Sequence, residues 1–340
     1  MYGPVLFAAI IAAAGLIACV GTRALIPLLR RAAVLDHPNE RSSHAEPTPR
    51  GGGIAPVAAI LVGWLALIAA GAEAPLLSVV LFGAALLAAI SWVDDLRGLS
   101  PAMRLLAQLV AVGLGMIAIM PAGPVFQGWL PPWLDAVAAG LLWLWFINLF
   151  NFMDGIDGLA GSEAAAIALG LVLFAGFGAG HDPGLAALAA TVVAAVVGFL
   201  VWNWAPARIF LGDVGSVPSG YLLGFLLLDV AARGGWKIAL ILPLYFLADA
   251  TVTLARRLLR GETVWQAHRQ HFYQRAVLRG LGHAAVVRRV IAADLLLIAC
   301  GWAAENGWAI AALAAAAVVV LALLVSLAGG RRHRPARFPP

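Results

Sequence analysis

Residues 185–204 read Leu185-Ala-Ala-Leu-Ala-Ala-Thr-Val-Val-Ala-Ala-Val-Val-Gly-Phe-Leu-Val-Trp-Asn-Trp204, without one charged side chain. About 20 such residues in a helix cross the ~30 Å hydrocarbon core of a bilayer. The apolar positions are continuous rather than alternating, which excludes a barrel strand. A helix is then the form that satisfies its backbone groups inside lipid. Runs of the same kind recur at 3–27, 53–71, 75–93, 102–121, 133–150, 159–179, 217–232, 237–255, 286–304 and 307–327. The reading is an all-α polytopic membrane bundle of about eleven transmembrane helices, or about ten if the short eighth run does not cross.

Composition agrees. The chain has 340 residues, 63% hydrophobic and 11% charged, with a mean hydropathy of +0.94, against ~25% charged residues in a soluble domain. A soluble globular enzyme is excluded. Cys19 and Cys300 both lie in apolar runs, where a thiol behaves as a small hydrophobe, so neither a disulfide scaffold nor redox chemistry is expected. The net charge is +5, but every basic residue except Lys237 is Arg, and they stand in short segments between apolar runs. That pattern fits orientation in a membrane. No zinc-module spacing or nucleic-acid-reading signature accompanies it, so lipid is the expected partner and nucleic acid is not.

The first run lacks a basic leader and carries Arg23, Arg30 and Arg31 toward and beyond its end, which fits a retained span with Met1 outside. Threading from there gathers segments 28–52, 94–101, 151–158, 205–216, 256–285 and 328–340 on one side. Of the 22 Lys and Arg residues only Arg233 and Lys237 fall on the other, so the first side is read as cytoplasmic. Residues 1–340 form one integral membrane unit whose basic tail, 328–340, suits anionic lipid.

Three of those segments are Gly-rich turns that hold five carboxylates. Trp92-Val-Asp94-Asp95-Leu-Arg97-Gly98 ends the third span, Asn151-Phe-Met-Asp154-Gly-Ile-Asp157-Gly158 ends the fifth, and Phe210-Leu-Gly-Asp213-Val-Gly-Ser216 precedes the eighth. Adjacent carboxylates at a membrane edge repel each other and resist desolvation, so a cation is expected to offset them. Mg²⁺ prefers hard oxygens and combines one or two carboxylates with substrate phosphates, which suits Asp94, Asp95 and Asp213; Mn²⁺ is the expected substitute. The plainer alternative pairs Asp95 with Arg97 or makes it a cap for the helix after Ser100-Pro101. Asp154 and Asp157 stand three apart, on one side of a helical turn, although Asn, Asp and Gly also build ordinary turns.

Residues 36–53 mix Arg41, Ser43, Thr48 and Arg50 with Gly51-Gly52-Gly53. The glycines open the second span, where unpaired N–H groups and the helix dipole favour phosphate, and the two Arg add positive charge. A basic loop on lipid headgroups is the alternative. In Ala267-His268-Arg269-Gln270-His271-Phe272-Tyr273-Gln274-Arg275, two imidazoles and two guanidiniums fall within one or two helical turns. The set suits a diphosphate better than a metal, because no third soft ligand is present and Arg269 opposes a cation. An amphipathic interfacial loop is the plainer reading.

Five pieces now stand in order: Pro47-Thr48 with its glycine run, Asp94-Asp95, Asn151 to Ala160, Asn203-x-x-Pro206-Ala207-x-x-Phe210 to Ser216, and His268 to Arg275. Over residues 35–275 the chain resembles the polyprenyl-phosphate N-acetylhexosamine-1-phosphate transferases. The resemblance implies transfer of a sugar-1-phosphate from a UDP-N-acetylhexosamine to undecaprenyl phosphate in a bacterial inner membrane, with release of UMP, and it suggests a homodimer. It implies that Asp213 ligates Mg²⁺ and that Asp94 and Asp95 ligate it too or orient the lipid phosphate. Phe210 would face the uracil, with Asn203 and Asp157 on its edge and Asn151 and Asp154 nearby. His268, Arg269 and His271 would grip the diphosphate or the sugar, while Arg50, Thr48 and Ser43 would bind substrate along the access loop.

The peptidoglycan members carry three successive histidines where this chain has His268-Arg269-Gln270-His271, and the first loop is similar to initiating enzymes of the O-antigen and teichoic-acid type. Muramyl-pentapeptide is therefore the second-choice donor. An ion-coupled transporter relaying charge through Asp229, Asp249 and Asp294 is the reading from another class. It explains fewer residues: Arg233 lies four beyond Asp229, a helix pair by spacing. Asp294 has no account.

Overall fold

The computed structural model describes residues 3–36, 46–72, 76–178, 181–263 and 268–329. The chain forms α1 (Gly3–Arg31), α2 (Ile54–Ala69), α3 (Leu77–Arg97), α4 (Pro101–Ile119), α5 (Pro132–Phe152), α6 (Leu159–Phe177) and α7 (Pro183–Asn203). It continues with α8 (Asp213–Val230), α9 (Trp236–Ile241), α10 (Leu244–Leu259), α11 (Phe272–Leu278), α12 (His283–Ala303) and α13 (Ala309–Ala328). It is an all-α polytopic membrane protein. Eight stretches among the described residues are long and apolar enough to cross a bilayer, with Asp213–Ile241 and His283–Ala328 each counted once. His283–Ala328 holds two of the apolar runs and Asp213–Ile241 holds one and the start of the next, because Gly307 (φ +94°) and Gly234 (φ +98°) turn the chain inside them; a positive φ is the conformation glycine adopts without steric cost. The run at 237–255 is not one helix. It breaks at Leu242-Pro243 into α9 and α10, as expected of a residue with no N–H to donate.

The bundle is organised around α8, in which every residue from Val214 to Val230 is buried. A helix apolar on all sides has nowhere else to go. α3 and α5 pack along it, α1 against α2 and α7, α6 against α7 and α12, and α12 against α13. Trp143 of α5 shows how close the fit is: its ring stacks on Tyr221 of α8 at 4.7 Å, and its Nε1–H donates to the Tyr221 carbonyl at 2.9 Å.

This arrangement has one consequence for chemistry. The N-terminus of α8, the C-termini of α3 and α5, and the start of α2 meet at one end of the bundle. Two short antiparallel strands, β1 (Leu35–Asp36) and β2 (Thr48–Pro49), close that end, and Arg50 beside β2 bridges to Phe210.

Candidate active site

The site is built on the first turn of α8. Asp95, from the last turn of α3, accepts hydrogen bonds from the backbone N–H of Asp213 (3.1 Å) and Val214 (2.9 Å), so a carboxylate from another helix caps α8. Such a cap meets both the orphan N–H groups and the positive end of the helix dipole. Asn151, at the end of α5, donates from Nδ2 to Ser216 Oγ at 3.0 Å and ties a third helix to the same turn. The Arg50 guanidinium lies 2.8 Å from both Asp95 Oδ1 and Asp213 Oδ1. Arg104 of α4 lies 3.3 Å from Asp94 Oδ2 and 3.9 Å from Asp213 Oδ2. Asp213 is thus held between two arginines from opposite sides.

Asp154 faces this cluster from the loop after α5. Burial, followed by repulsion from Asp213, Asp95 and Asp157, pushes its carboxyl up to about 7, with Arg50 acting against the shift. The rim carries more negative charge than its two arginines balance. At pH below about 7 Asp154 is mostly protonated, and above it mostly ionised. A reaction carried by this rim is expected to slow on the acid side with a midpoint near pH 7, and the midpoint would move lower with a divalent cation bound there, because a cation favours the ionised form. Initial rates against pH at two cation concentrations check this; a midpoint unmoved in Asp154→Asn refutes it.

Several sequence expectations change here. No three His, Cys, Asp or Glu side chains among the described residues are grouped to hold a metal ion. The expected set of Asp94, Asp95 and Asp213 fails because Asp95, its side chain 0% exposed, spends both oxygens on α8 and Arg50. Asp94 accepts the Leu99 N–H at 2.5 Å and so shapes the turn into α4, whose own cap is Ser100. What fits a divalent ion is a smaller set. Asp213, 18% exposed, has room for one, whereas Asp94, 7% exposed, spends its oxygens on the Leu99 N–H and Arg104, and a single carboxylate is enough for Mg²⁺ combined with phosphate oxygens.

Two of the three glycines do not offer free N–H groups to an anion. Gly52 donates to the Phe210 carbonyl (2.8 Å) and Gly53 to the Leu211 carbonyl (2.9 Å), while Phe210 donates back to Pro49 (2.8 Å). The glycines are there for closeness: a Cβ on Gly53 would stand 2.2 Å from the Gly215 Cα. Thr48 is buried in β2 and donates to the Glu46 carbonyl. Ser43 and Arg41 lie outside the described residues.

Residues 153–158 form a loop, so Asp154 and Asp157 do not share a helical turn. Asp157 accepts the Ala207 N–H at 3.0 Å and lies 3.3 Å from His283 Nδ1 at the start of α12. Asn203 is buried and uses both ends of its amide within the fold, accepting from Gly158 N–H (3.0 Å) and donating to the Ile209 carbonyl (2.9 Å). It fastens the loop that carries Phe210 to the loop that carries Asp154, which corrects its expected place on a base edge. Phe210 is half-buried beside Arg50.

The histidine segment is corrected as well. His271 is 2% exposed, and its Nδ1 lies 3.2 Å from Asp249 Oδ1. Asp249 also accepts the N–H groups of Phe272 and Tyr273. It repeats on α11 the device that Asp95 uses on α8. His268 packs against His271 with ring centroids 4.8 Å apart. Burial first, then His271 and Arg257, bring His268 down to about 4, so it is neutral at physiological pH and adds no positive charge. Its Nδ1 accepts the Gln270 N–H at 3.3 Å, which leaves the ring proton on Nε2 as a donor. Arg269 and Arg275 remain the cations of this segment.

Sequence reading passes over Arg104 and His283, takes Ser216 only as the end of a motif, and takes Asp249 only as an acid of the transporter alternative. Arg104 had a signal, as the first basic residue on the helix after Asp94-Asp95. The others are brought in by helices distant in the chain.

An apolar bundle with a charged rim of carboxylates bracketed by arginines defines a membrane protein whose polar site lies at one end of the bundle. Comparison with known proteins gives the family. The glycosyl transferase family 4 pattern matches residues 77–231. The chain is 30% identical over 319 residues to a phospho-N-acetylmuramoyl-pentapeptide-transferase of Synechococcus elongatus, covering 82% of each. It is 28% identical over 275 residues to a probable undecaprenyl-phosphate N-acetylglucosaminyl 1-phosphate transferase of Bacillus subtilis, covering 76% of this chain and 75% of the relative. A decaprenyl-phosphate N-acetylglucosaminephosphotransferase of Mycobacterium leprae is 26% identical, covering 76% and 74%. The chain belongs to glycosyl transferase family 4 and is an enzyme of the polyprenyl-phosphate N-acetylhexosamine-1-phosphate transferase type.

Proposed function

We propose that this enzyme transfers an N-acetylhexosamine-1-phosphate from a UDP-sugar to undecaprenyl phosphate and releases UMP, at the cytoplasmic face of a bacterial inner membrane. The observation that carries the reading is Asp213, fixed on the first turn of α8 between Arg50 and Arg104, at the rim of a bundle otherwise apolar. A phosphate oxygen of the lipid forms a bond to the sugar-bearing phosphorus; the bond from that phosphorus to the bridging oxygen breaks, and UMP leaves with the electron pair. The lipid phosphate is already largely ionised near neutral pH, so the protein's part is positioning and charge balance. Mg²⁺, with Mn²⁺ as substitute, would supply positive charge to the diphosphate oxygens when bound, and Asp213 is the carboxylate that would hold it. Arg50 and Arg104 orient Asp213, Asp95 fixes the turn beneath it, and Arg269 and neutral His268 are donors for diphosphate or sugar.

The transporter reading loses two of its three acids to local partners. Asp229 lies 2.9 Å from Arg233 on the same helix, and Asp249 holds α11.

The donor is an N-acetylhexosamine such as GlcNAc or a 6-deoxy relative, and the product starts an O-antigen-like polysaccharide. The test is cation-dependent release of UMP by the purified protein, with undecaprenyl phosphate present or withheld and a panel of UDP-N-acetylhexosamines that includes UDP-MurNAc-pentapeptide. Release that needs both lipid and metal supports the assignment, and release only with the pentapeptide moves the enzyme to peptidoglycan. A companion measurement uses Phe210→Ala, expected to weaken UDP-sugar binding at least about tenfold, ~1.4 kcal/mol of stacking and burial. Prenyl-phosphate binding should change little, and equal losses for both substrates return Phe210 to a packing role.

A further inference from the structure

Asp294 lies near the middle of α12 and Glu163 in the second turn of α6, 2% and 0% exposed. Their carboxyl groups are within hydrogen-bonding reach of each other. None of the four oxygens finds a donor that closes a bond, and the Phe246 N–H in the first turn of α10 faces Glu163 without closing one.

Among the described residues no basic side chain pairs with either acid. α7 and α13, packed on α6 and α12, carry no ionisable side chain. Tyr245 of α10 faces both acids, but its hydroxyl donates to Asp249 at 3.4 Å. The basic side chains of the neighbouring elements are used elsewhere: Lys237 of α9 on Glu305, Arg233 on Asp229, Arg257 on Glu262 and Arg256 over the Phe272 ring, while Arg288 and Arg289 of α12 itself are exposed.

Two adjacent carboxylates in such a place cannot both stay ionised. Each buried ion costs several kcal/mol of lost hydration, and the pair adds its own repulsion. One proton turns the repulsion into a charge-assisted O–H···O⁻ bond and halves the charge. We propose that Glu163 and Asp294 bind one proton in common, forming an acid–carboxylate bridge that locks α12 to α6. The bridge lies deeper in the bundle than the rim contact between His283 and Asp157, so the two contacts fix α12 at two depths. It gives Asp294 a role that needs neither transport nor catalysis and stands apart from the transferase reading.

Infrared spectra of the purified protein in detergent and heavy water test this directly. A protonated-carboxyl band is expected in the wild type at about pH 8.5, where Asp154 is ionised, and it should be absent in Glu163→Gln and in Asp294→Asn, where an amide N–H supplies the hydrogen instead. Those two variants should keep the wild-type melting temperature within a few degrees, whereas Asp294→Ala should melt well below it. A wild type with no such band overturns the proposal without recourse to any variant. So does a band that appears only after Na⁺ and K⁺ are removed, which would show a metal cation in the proton's place, and so does a band that survives in both amide variants.

Discussion

Asp213→Asn lowers turnover at least about a thousand-fold, ~4 kcal/mol of barrier, in a protein that still folds and inserts. The amide keeps the size of the side chain and its backbone stays capped by Asp95. Arg50 and Arg104 each retain a carboxylate, Asp95 at 2.8 Å and Asp94 at 3.3 Å. What is lost is the single exposed negative group between them, the one placed to hold a cation against a diphosphate. Steady-state UMP release, with size-exclusion profile and melting temperature as controls, measures it. Wild-type turnover in this variant would remove Asp213 from the site.

The second large effect is of a different kind. Asp95→Ala leaves the N–H groups of Asp213 and Val214 uncapped and deprives Arg50 of one of its two carboxylates. Removing one member of a buried, hydrogen-bonded charge pair costs ~3 kcal/mol or more, and here the loss falls on the turn that carries Asp213. Both stability and activity should drop together, with the melting temperature reporting the first and UMP release the second. Asp95→Asn restores part of the stability, since its side-chain oxygen still accepts one N–H. A variant as stable as wild type but inactive would return Asp95 to direct contact with metal or substrate.

The contrast between these two carboxylates shows where sequence reading reaches its limit. Asp94-Asp95 and Asp213 are equally visible in the chain, as acids in Gly-rich turns at the ends of apolar runs. Which one faces substrate and which one faces a helix end is a matter of a few ångströms, decided by how α3 meets α8. The same holds for His271, legible as a candidate anion ligand yet turned inward by Asp249, and for Asn203, whose amide is used up by two loops that lie far apart in sequence. The glycine run after Arg50 is legible as a place of close approach, but what approaches is the Phe210–Leu211 strand and Gly215.

The sequence alone determined the membrane class, the helical form and the end of the bundle at which chemistry collects, because continuous apolar runs allow only a helix in lipid and the few carboxylates crowd into short turns. Its motif order also determined the family. The tertiary structure decided the division of labour among those carboxylates. An ionised side chain is stable near the membrane only where donors or cations meet it, and which donors meet it depends on helices brought together from distant parts of the chain. Asp95 and Asp249 cap helices, Asp213 is presented between two arginines, and Glu163 and Asp294, which no motif marks, find only each other.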